Sequence, residues 1–354
     1  MKKKLLSVLL AAAMILALAA CGGNSSGGST PAPDSGNAGS EPSGSGDAGS
    51  AEAVHLTLAH ADAADGSLFG ECTKIFKEKV EEASGGSIII DIFPNGQLGT
   101  VSEYVTGIQN GTIDLAPAVT SFVANFCPNV SVFEMPFLFE DHEHVWESLD
   151  GDVGATLSKD LTDNNIIPLI WWGIGFRNVT TSESHPINSL SDFKGFRIRT
   201  MQSVIQQSLF QALGADAVPM DWGELYTALQ QGTVDGEENP YTQVFSSNIW
   251  EVNPVIVQTE HEFSPSVFMM SPAVEGKLSA EQLDIIYKCA EECKPLFRQS
   301  TIDINNDALK SLQDNGCTFI DTLDKAELQA ATMSVYDQYP EYADLVASIR
   351  ALRG

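Results

Sequence analysis

Arginine is the scarcest charged residue type in this chain of 354 residues. Six arginines stand against 47 acidic residues, and the formal net charge is −28. Such an acidic surface disfavours nucleic acid and anionic lipid headgroups as partners, because both carry charge of the same sign. A small anion can bind only where the few cations are gathered, so the arginine positions are the first indication of a site.

Signatures of catalysis are equally sparse. The sequence has no HExxH, GxSxG or P-loop, and the short SxxK match at Ser191–Lys194 carries little information. In His142-Glu143-His144 the two imidazoles are two residues apart and point to different faces of a helix, which favours a solvated acidic helix over a metal site. We therefore expect a protein without catalytic residues, metal or cofactor.

Cysteine usage gives no indication of a disulfide framework. Beyond Cys21 the chain has five cysteines, an odd number, and Cys289 and Cys293 have the i, i+4 spacing typical of apolar packing on a helix. We therefore expect no disulfide framework.

Long apolar runs are confined to the N-terminus. Three lysines at positions 2–4 precede an apolar run of about 16 residues, shorter than the roughly 20 that a membrane helix needs. Leu18-Ala19-Ala20-Cys21 resembles the lipobox of bacterial lipoproteins. The sequence thus predicts a lipoprotein signal peptide over residues 1–20, lipidation of Cys21, and a flexible Gly/Ser/Pro linker over residues 21–52. A short membrane anchor with an incidental cysteine is the alternative.

The remaining 300 or so residues are enough for two lobes, and a repeat supports this division. The segments EYVTGIQNGTID (103–114) and ELYTALQQGTVD (224–235) coincide at a constant offset of 121 residues. Each reads as a helix that ends at a glycine and leads into a strand. The folded part begins with a βαβ unit: a strand at Val54–Ala59, an amphipathic helix over 67–84 and a buried strand over 87–93. The predicted fold class is therefore α/β.

Two further segments could connect the lobes. The apolar run at 165–180 could pass from one lobe to the other, and a helical pattern from Ser279 to Asn315 could lie across both, although Pro295 should kink or break it.

Arginine is concentrated in the middle of the chain. Arg177, Arg197 and Arg199 fall within 23 residues, and the strand-like GFRIRT places Arg197 and Arg199 on one face. A face with two guanidinium groups must meet solvent, an acidic partner or an anionic ligand. The residues alone leave these three alternatives open.

Four motifs around these arginines resemble one family. They are FPNGQLG (93–99), GFRNVTT (175–181), NSLSDFKGFRIRTMQS (188–203) and ALGADAVPMDWGELYTALQQGTVDGEENP (212–240). Together they are similar to the solute receptors of tripartite ATP-independent periplasmic (TRAP) transporters of the DctP type, over residues 54 to the C-terminus. The resemblance implies a periplasmic-binding-protein-like receptor with a cleft between two lobes and a long helix spanning both. The expected lobes are 53–174 with 265–304, and 175–264 with 305–354.

The resemblance also implies a ligand site. Arg199 falls on the arginine that clamps the ligand carboxylate, Arg177 and Asn239 on two further ligand contacts, Trp222 on an aromatic contact, and His60 on a polar contact at a strand end. Three of these residues have structural alternatives: Trp222 as a core aromatic, His60 as a strand-end histidine with internal partners, and Asn239 as a turn residue. Arg197 is expected to form an ion pair instead.

The ligand expected from this resemblance is a C4-dicarboxylate or a sugar acid such as a uronate. Val119 stands where sialic-acid receptors have a glutamate, which makes that ligand a poor candidate. The partners implied are a small and a large membrane subunit that carry out ion-coupled uptake, and the location is extracytoplasmic, lipid-anchored to the cell membrane. The alternatives are a surface-anchored ligand-sensing lipoprotein and a hydrolase acting on acidic sugars.

Overall fold

One mixed β-sheet runs through the computed structural model, which describes residues 52–353. The predicted signal peptide, the lipidation site Cys21 and the linker as far as residue 51 lie outside the described residues. Within 52–353 the strands are β1 (Val54–Ala59), β2 (Ile88–Phe93), β3 (Leu115–Val119), β4 (Ile167–Thr181), β5 (Arg197–Thr200), β6 (Asp216–Pro219), β7 (Gly236–Asn239), β8 (Val255–Met270) and β9 (Thr318–Ile320).

Two long strands join the halves of this sheet. The strand order is β2-β1-β3-β8-β4-β7-β5-β6, with β9 paired to β8. Strands β4 and β8 have 15 and 16 residues and pair antiparallel through the centre, while parallel pairs β1/β2 and β5/β6 occupy the two ends. The α/β prediction and the crossing segment at β4 are confirmed. The matching crossing strand β8 was not predicted.

Helices cover the faces of the sheet. Within 52–353 they are α1 (Leu68–Ala83), α2 (Val101–Asn110), α3 (Thr120–Val123), α4 (His142–Asp150), α5 (Asp152–Asp163), α6 (Val204–Ala212), α7 (Leu225–Gln230), α8 (Tyr241–Ser246), α9 (Ala280–Asp314), α10 (Lys325–Gln338) and α11 (Ala343–Arg350). None of these helices has the length and apolar character needed to cross a bilayer. The five cysteines among the described residues are free thiols.

Helix α9 extends for 35 residues and corrects one expectation. It begins after Ser279, whose side chain accepts a hydrogen bond from the Gln282 N–H in a capping box, and it continues through Pro295 without a break. Proline removes the N–H that would bond the carbonyl of Glu291. Pro295 and Glu291 are both exposed, so water can take the place of that donor. Sequence alone did not show that the proline lies on the solvent face.

Contacts of α9 reach both ends of the sheet. Lys79 in α1 pairs with Glu292 at 2.9 Å, and Asn305 Oδ1 accepts a hydrogen bond from the Thr242 N–H at the start of α8 at 3.1 Å. Between them, Asn305 Nδ2 donates to the carbonyl of Ile174 in β4 at 2.8 Å. The predicted helix across both halves is confirmed. The residue boundaries of the two lobes stay a prediction.

The sequence repeat is a structural repeat. Helices α2 and α7 both lead through a glycine with positive φ, Gly111 at 81° and Gly232 at 68°, into the central strands β3 and β7. Asp114 Oδ2 accepts a hydrogen bond from the Thr57 N–H of β1, and Asp235 Oδ2 accepts one from the Arg197 N–H of β5, each at 3.0 Å. The two copies therefore fix their neighbouring parallel strands in the same way.

Candidate ligand-binding site

A partly enclosed cavity lies where the two halves of the sheet meet. Its polar wall consists of Asp62, Tyr104, Arg177, Arg199, Asn239 and Gln243. Its apolar wall includes Phe69, Val101, Val119, Phe122, Ile174 and Met201. Few polar groups converging in a mostly apolar cavity are typical of a small-molecule site.

Arg199 is a buried cation whose hydrogen-bond partner is a backbone carbonyl and not a carboxylate. It lies on β5 with 1% of its surface exposed, and its Nε and Nη2 groups donate to the carbonyl of Met220 at 3.1 and 2.8 Å. Among residues 52–353 no carboxylate forms an ion pair with it. Burial lowers the pKa of Arg199 to about 10, against the opposing effect of Glu238 and Glu237, so the group stays charged at neutral pH. The Nη1 edge of the guanidinium group is left for another acceptor.

Arg177 differs from Arg199 because most of its N–H donors already have partners within the protein. This fully buried side chain on β4 forms a fork with the Glu238 carboxylate through Nε and Nη2, and Nη2 also contacts Asn239 Oδ1 at 3.0 Å. Nη1 donates to Ser264 Oγ at 2.8 Å, which leaves one Nη1 N–H of the five. Burial alone would raise the pKa of Glu238, but Arg177 and His261 outweigh it and lower that pKa to about 2.

Strand β7, GEEN, holds the polar groups behind the cavity. All four of its residues are buried, and Asn239 is fixed on both sides, since its Oδ1 accepts from Arg177 and its Nδ2 donates to Glu237. Thr180 Oγ1 donates to the other oxygen of Glu237 at 2.7 Å. Burial raises the pKa of Glu237 to about 7. The hydrogen bond from Thr180 lowers this pKa but does not cancel the effect of burial.

A second polar group lies on the wall formed by the first half of the sheet. Asp62, in the turn after β1, is 8% exposed and accepts a hydrogen bond from Gln243 Nε2 of α8 at 3.2 Å. Burial raises the pKa of Asp62 to about 6, and the Gln243 hydrogen bond opposes the shift. The Tyr104 phenol of α2 is 1% exposed; burial and, secondarily, the charge of Asp62 raise its pKa well above the usual value.

Comparisons with known proteins agree with this architecture. A family model described as DctP, bacterial extracellular solute-binding protein, family 7, matches residues 58–342. The 2,3-diketo-L-gulonate-binding periplasmic protein of Escherichia coli is 30% identical over 78% of this chain and 85% of its own length. The chain belongs to this family. Its members are solute receptors of transporters rather than enzymes, so the hydrolase alternative is not supported.

Solved structures extend the similarity to the whole fold. A TRAP periplasmic solute-binding protein from Polaromonas sp. JS666, bound to D-erythronate, has a TM-score of 0.80 and 31% identity, covering 84% of this chain and 98% of that one. One from Pseudomonas putida F1, with bound D-glucuronate, has a TM-score of 0.79 and 30% identity, covering 85% and 98%. The resemblance to TRAP receptors and the two-lobed fold class are confirmed.

Four of the five ligand residues predicted for this TRAP receptor line the cavity together. They are Arg177, Arg199, Trp222 and Asn239. Trp222 is half-buried, and its ring centroid lies 5.9 Å from Arg199 Cζ, so its indole forms part of the wall beside the cation.

His60 is placed differently from the prediction. It is completely buried and is not among the cavity-lining residues, whereas Ala61 and Asp62 are. The reason is local: the His60 N–H still bonds the carbonyl of Phe93 at the end of β2, and the chain turns toward the cavity only afterwards. Burial lowers the pKa of His60 to about 4, so the ring is neutral at pH 7.

Sequence analysis missed the acidic residues of the site. Glu237 and Glu238 lie beside Asn239 in the motif that was quoted, and two acids inside a predicted central strand indicate buried partners. Asp62 and Gln243 follow a strand and a proline respectively and have no comparable local signal.

Proposed function

We propose that this TRAP receptor captures a small organic acid by pairing its carboxylate with Arg199. The observation that supports this role is the burial of the Arg199 guanidinium beside a cavity with a backbone carbonyl as its hydrogen-bond partner. An uncompensated buried charge costs several kcal/mol, and a carboxylate with two parallel hydrogen bonds removes much of that cost. The cation is thus prepared for an anion that the fold itself does not supply.

Three other cavity residues are proposed to complete the contact. Arg177 offers its remaining Nη1 N–H, Asn239 stands beside it, and Trp222 covers the Arg199 side of the ligand. His60 is omitted from this set because it does not line the cavity. A ligand that touches both Arg199 and the opposite wall would favour the closed arrangement of two lobes.

The ligand class follows from the charge of the site and from relatives. The related proteins named above bind 2,3-diketo-L-gulonate, D-erythronate or D-glucuronate, each an acid with several further oxygens. We infer a sugar acid as the ligand, with a C4-dicarboxylate as the second candidate that the arginine clamp alone also accommodates.

A thermal-shift screen tests this proposal. Purified protein is heated with D-erythronate, D-glucuronate, 2,3-diketo-L-gulonate or succinate, and with the neutral sugar D-glucose as control. A ligand present at 100 times its Kd adds about 2.7 kcal/mol of stability and should raise Tm clearly. Shifts with D-glucose equal to those with the acids would contradict a site built on Arg199.

Membrane attachment and delivery to two membrane subunits form the rest of the proposal. The lipobox-like sequence before Cys21 supports attachment through lipid at that cysteine. Mass spectrometry of the membrane fraction should find a diacylglyceryl-modified Cys21, and Cys21→Ser should release the protein. Uptake of the acid by cells should require both membrane subunits together with this receptor, and uptake without the receptor would contradict delivery.

A further inference from the structure

The cavity has a second, acidic wall that none of the predicted contacts includes. We propose that Asp62, Tyr104 and Gln243 recognise hydroxyl groups of the ligand and that Asp62 excludes acids with a second carboxylate at this end. This inference rests on the proposed clamp at Arg199 and adds to it, because it selects hydroxylated monocarboxylic acids over C4-dicarboxylates.

Asp62 is a buried carboxylate with little compensation. It is 8% exposed, its hydrogen bond comes from Gln243 Nε2, and no lysine or arginine among residues 52–353 forms an ion pair with it. An ionised carboxylate has about four acceptor positions, of which one is used here. Buried acceptors without donors are unfavourable, so a ligand that brings donors to Asp62 is stabilised there.

The neighbouring groups decide what kind of donor fits. Tyr104 lines the cavity, is 1% exposed, and its phenol has no hydrogen-bond partner among residues 52–353. Gln243 is 6% exposed, and beyond its bond to Asp62 it retains one N–H and its amide oxygen. This wall thus presents donors and acceptors together. A hydroxyl group donates and accepts, and therefore matches it.

Other ligand groups match this wall less well. An ammonium group would satisfy Asp62 but leave the Tyr104 O–H and the Gln243 N–H without acceptors. A carboxylate would satisfy those two donors but lie beside Asp62, and like charges in a buried cavity repel strongly because water does not screen them. A methyl group would leave the Tyr104 O–H and the remaining donor and acceptor positions of Asp62 and Gln243 without partners.

In this proposal the two ends of the cavity differ in sign, because the cations and the acid that line it come from different halves of the sheet. Arg199 on β5 and Arg177 on β4 belong to one end, while Asp62 follows β1. A ligand with one carboxylate and a hydroxylated tail can satisfy both ends in one orientation. A symmetric dicarboxylate cannot, whichever way it enters.

Matched ligand pairs test the proposal in calorimetry. D-erythronate is compared with meso-tartrate and D-gluconate with D-glucarate, because each second acid differs from the first by one terminal carboxylate. Wild-type protein should bind at least one monocarboxylate tenfold or more tighter than its dicarboxylate partner at pH 7.5. Equal affinity within both pairs, or tighter binding of the dicarboxylates, would overturn the proposal.

Asp62→Asn removes the charge with little change of shape, and Asp65→Asn is its control. Asp65 is three residues away, and its side chain is 90% exposed. The Asp62 variant should lose at least tenfold in monocarboxylate affinity and lose most of its discrimination within each pair, whereas the control should keep both. Discrimination unchanged in Asp62→Asn would overturn the role of Asp62.

Tyr104→Phe provides a second variant should Asp62→Asn unfold. It should weaken binding of D-erythronate at least threefold and leave binding of butyrate, which lacks hydroxyl groups, unchanged; an equal effect on both acids overturns the inference. Failure of the clamp looks different, because Arg199→Lys would then leave the affinity for every acid unchanged. The two proposals can thus fail separately.

Discussion

Replacing Arg199 with lysine separates a structural arginine from a ligand clamp. The guanidinium uses one edge, Nε and Nη2, for the carbonyl of Met220, and its other edge can offer two parallel N–H groups to a carboxylate. Each such bond contributes about 1.5 to 3 kcal/mol. An ammonium group at this position keeps the charge but reproduces one of the two bonds, so affinity should fall roughly 10- to 150-fold.

The assay is titration calorimetry with the acid that gives the largest thermal shift, using protein whose folding is checked by circular dichroism. Arg197→Lys is the matched control. Arg197 lies two residues away on the same strand, but its guanidinium pairs with Asp235 at 2.5 Å and its side chain is 45% exposed. The ligand affinity of the Arg197→Lys variant should stay within about twofold of wild type. Unchanged affinity in Arg199→Lys, or equal losses in the two variants, would refute the assignment of the clamp.

Three further predictions concern stability. Glu238→Gln leaves the charge of Arg177 buried without its partner and should lower the free energy of unfolding by about 3 to 5 kcal/mol in urea denaturation; a loss below about 1 kcal/mol would contradict it. The carboxyl groups of Glu134 and Glu237, whose pKa burial raises from 4.5 to about 7, should contribute stability that is complete below pH 4.5 and is lost as pH rises through 7, while the lowered pKa of His60 and His261 acts in the opposite direction. Thermal melts at pH 7.5 and 5 should show the Tm of Glu237→Gln falling relative to wild type on acidification, and a difference independent of pH would exclude the mechanism. Gly175→Ala should cost about 1 to 3 kcal/mol in urea denaturation, because φ is 122° at this position; full stability would contradict that strain.

Local patterns predicted much of the fold because they depend on nearby residues. Strand β1 was predicted at its observed bounds, and the helix predicted at 67–84 is α1 with Ser67 as its N-cap. The repeat predicted two helix-turn-strand units. Strand β8 was not predicted, because its sequence, VIVQTEHEFSPSVFMM, mixes polar residues and a proline into an apolar run. Its strand conformation is explained by the pairing with β4 along its length.

The site was less predictable because its residues meet through tertiary packing. Resemblance predicted Arg199, Arg177, Asn239 and Trp222, all of which line the cavity, but it could not show that Glu238 occupies most donors of Arg177. That pairing depends on β4 and β7 being neighbours in register, Val179 opposite Glu238. Nothing local to either strand indicates this register.

The repeat gives an independent argument for the proposal that Arg199 serves ligand binding rather than the fold. In β1/β3 the paired residues are Leu58 and Leu115, and in β5/β7 they are Ile198 and Gly236, so Gly236 corresponds to Leu115 at the same offset of 121 residues that relates the two repeats. It follows that Ile198 corresponds to Leu58.

The neighbours of these residues then also correspond. Arg197 matches Thr57, and each gives its backbone N–H to the aspartate that ends the repeat, Asp235 or Asp114. Arg199 matches Ala59, which is 1% exposed. The first copy of the unit thus folds with a methyl group where the second buries a guanidinium group. Burying a charge is costly and the first copy folds without one, which supports the proposal that Arg199 serves a ligand in the cavity.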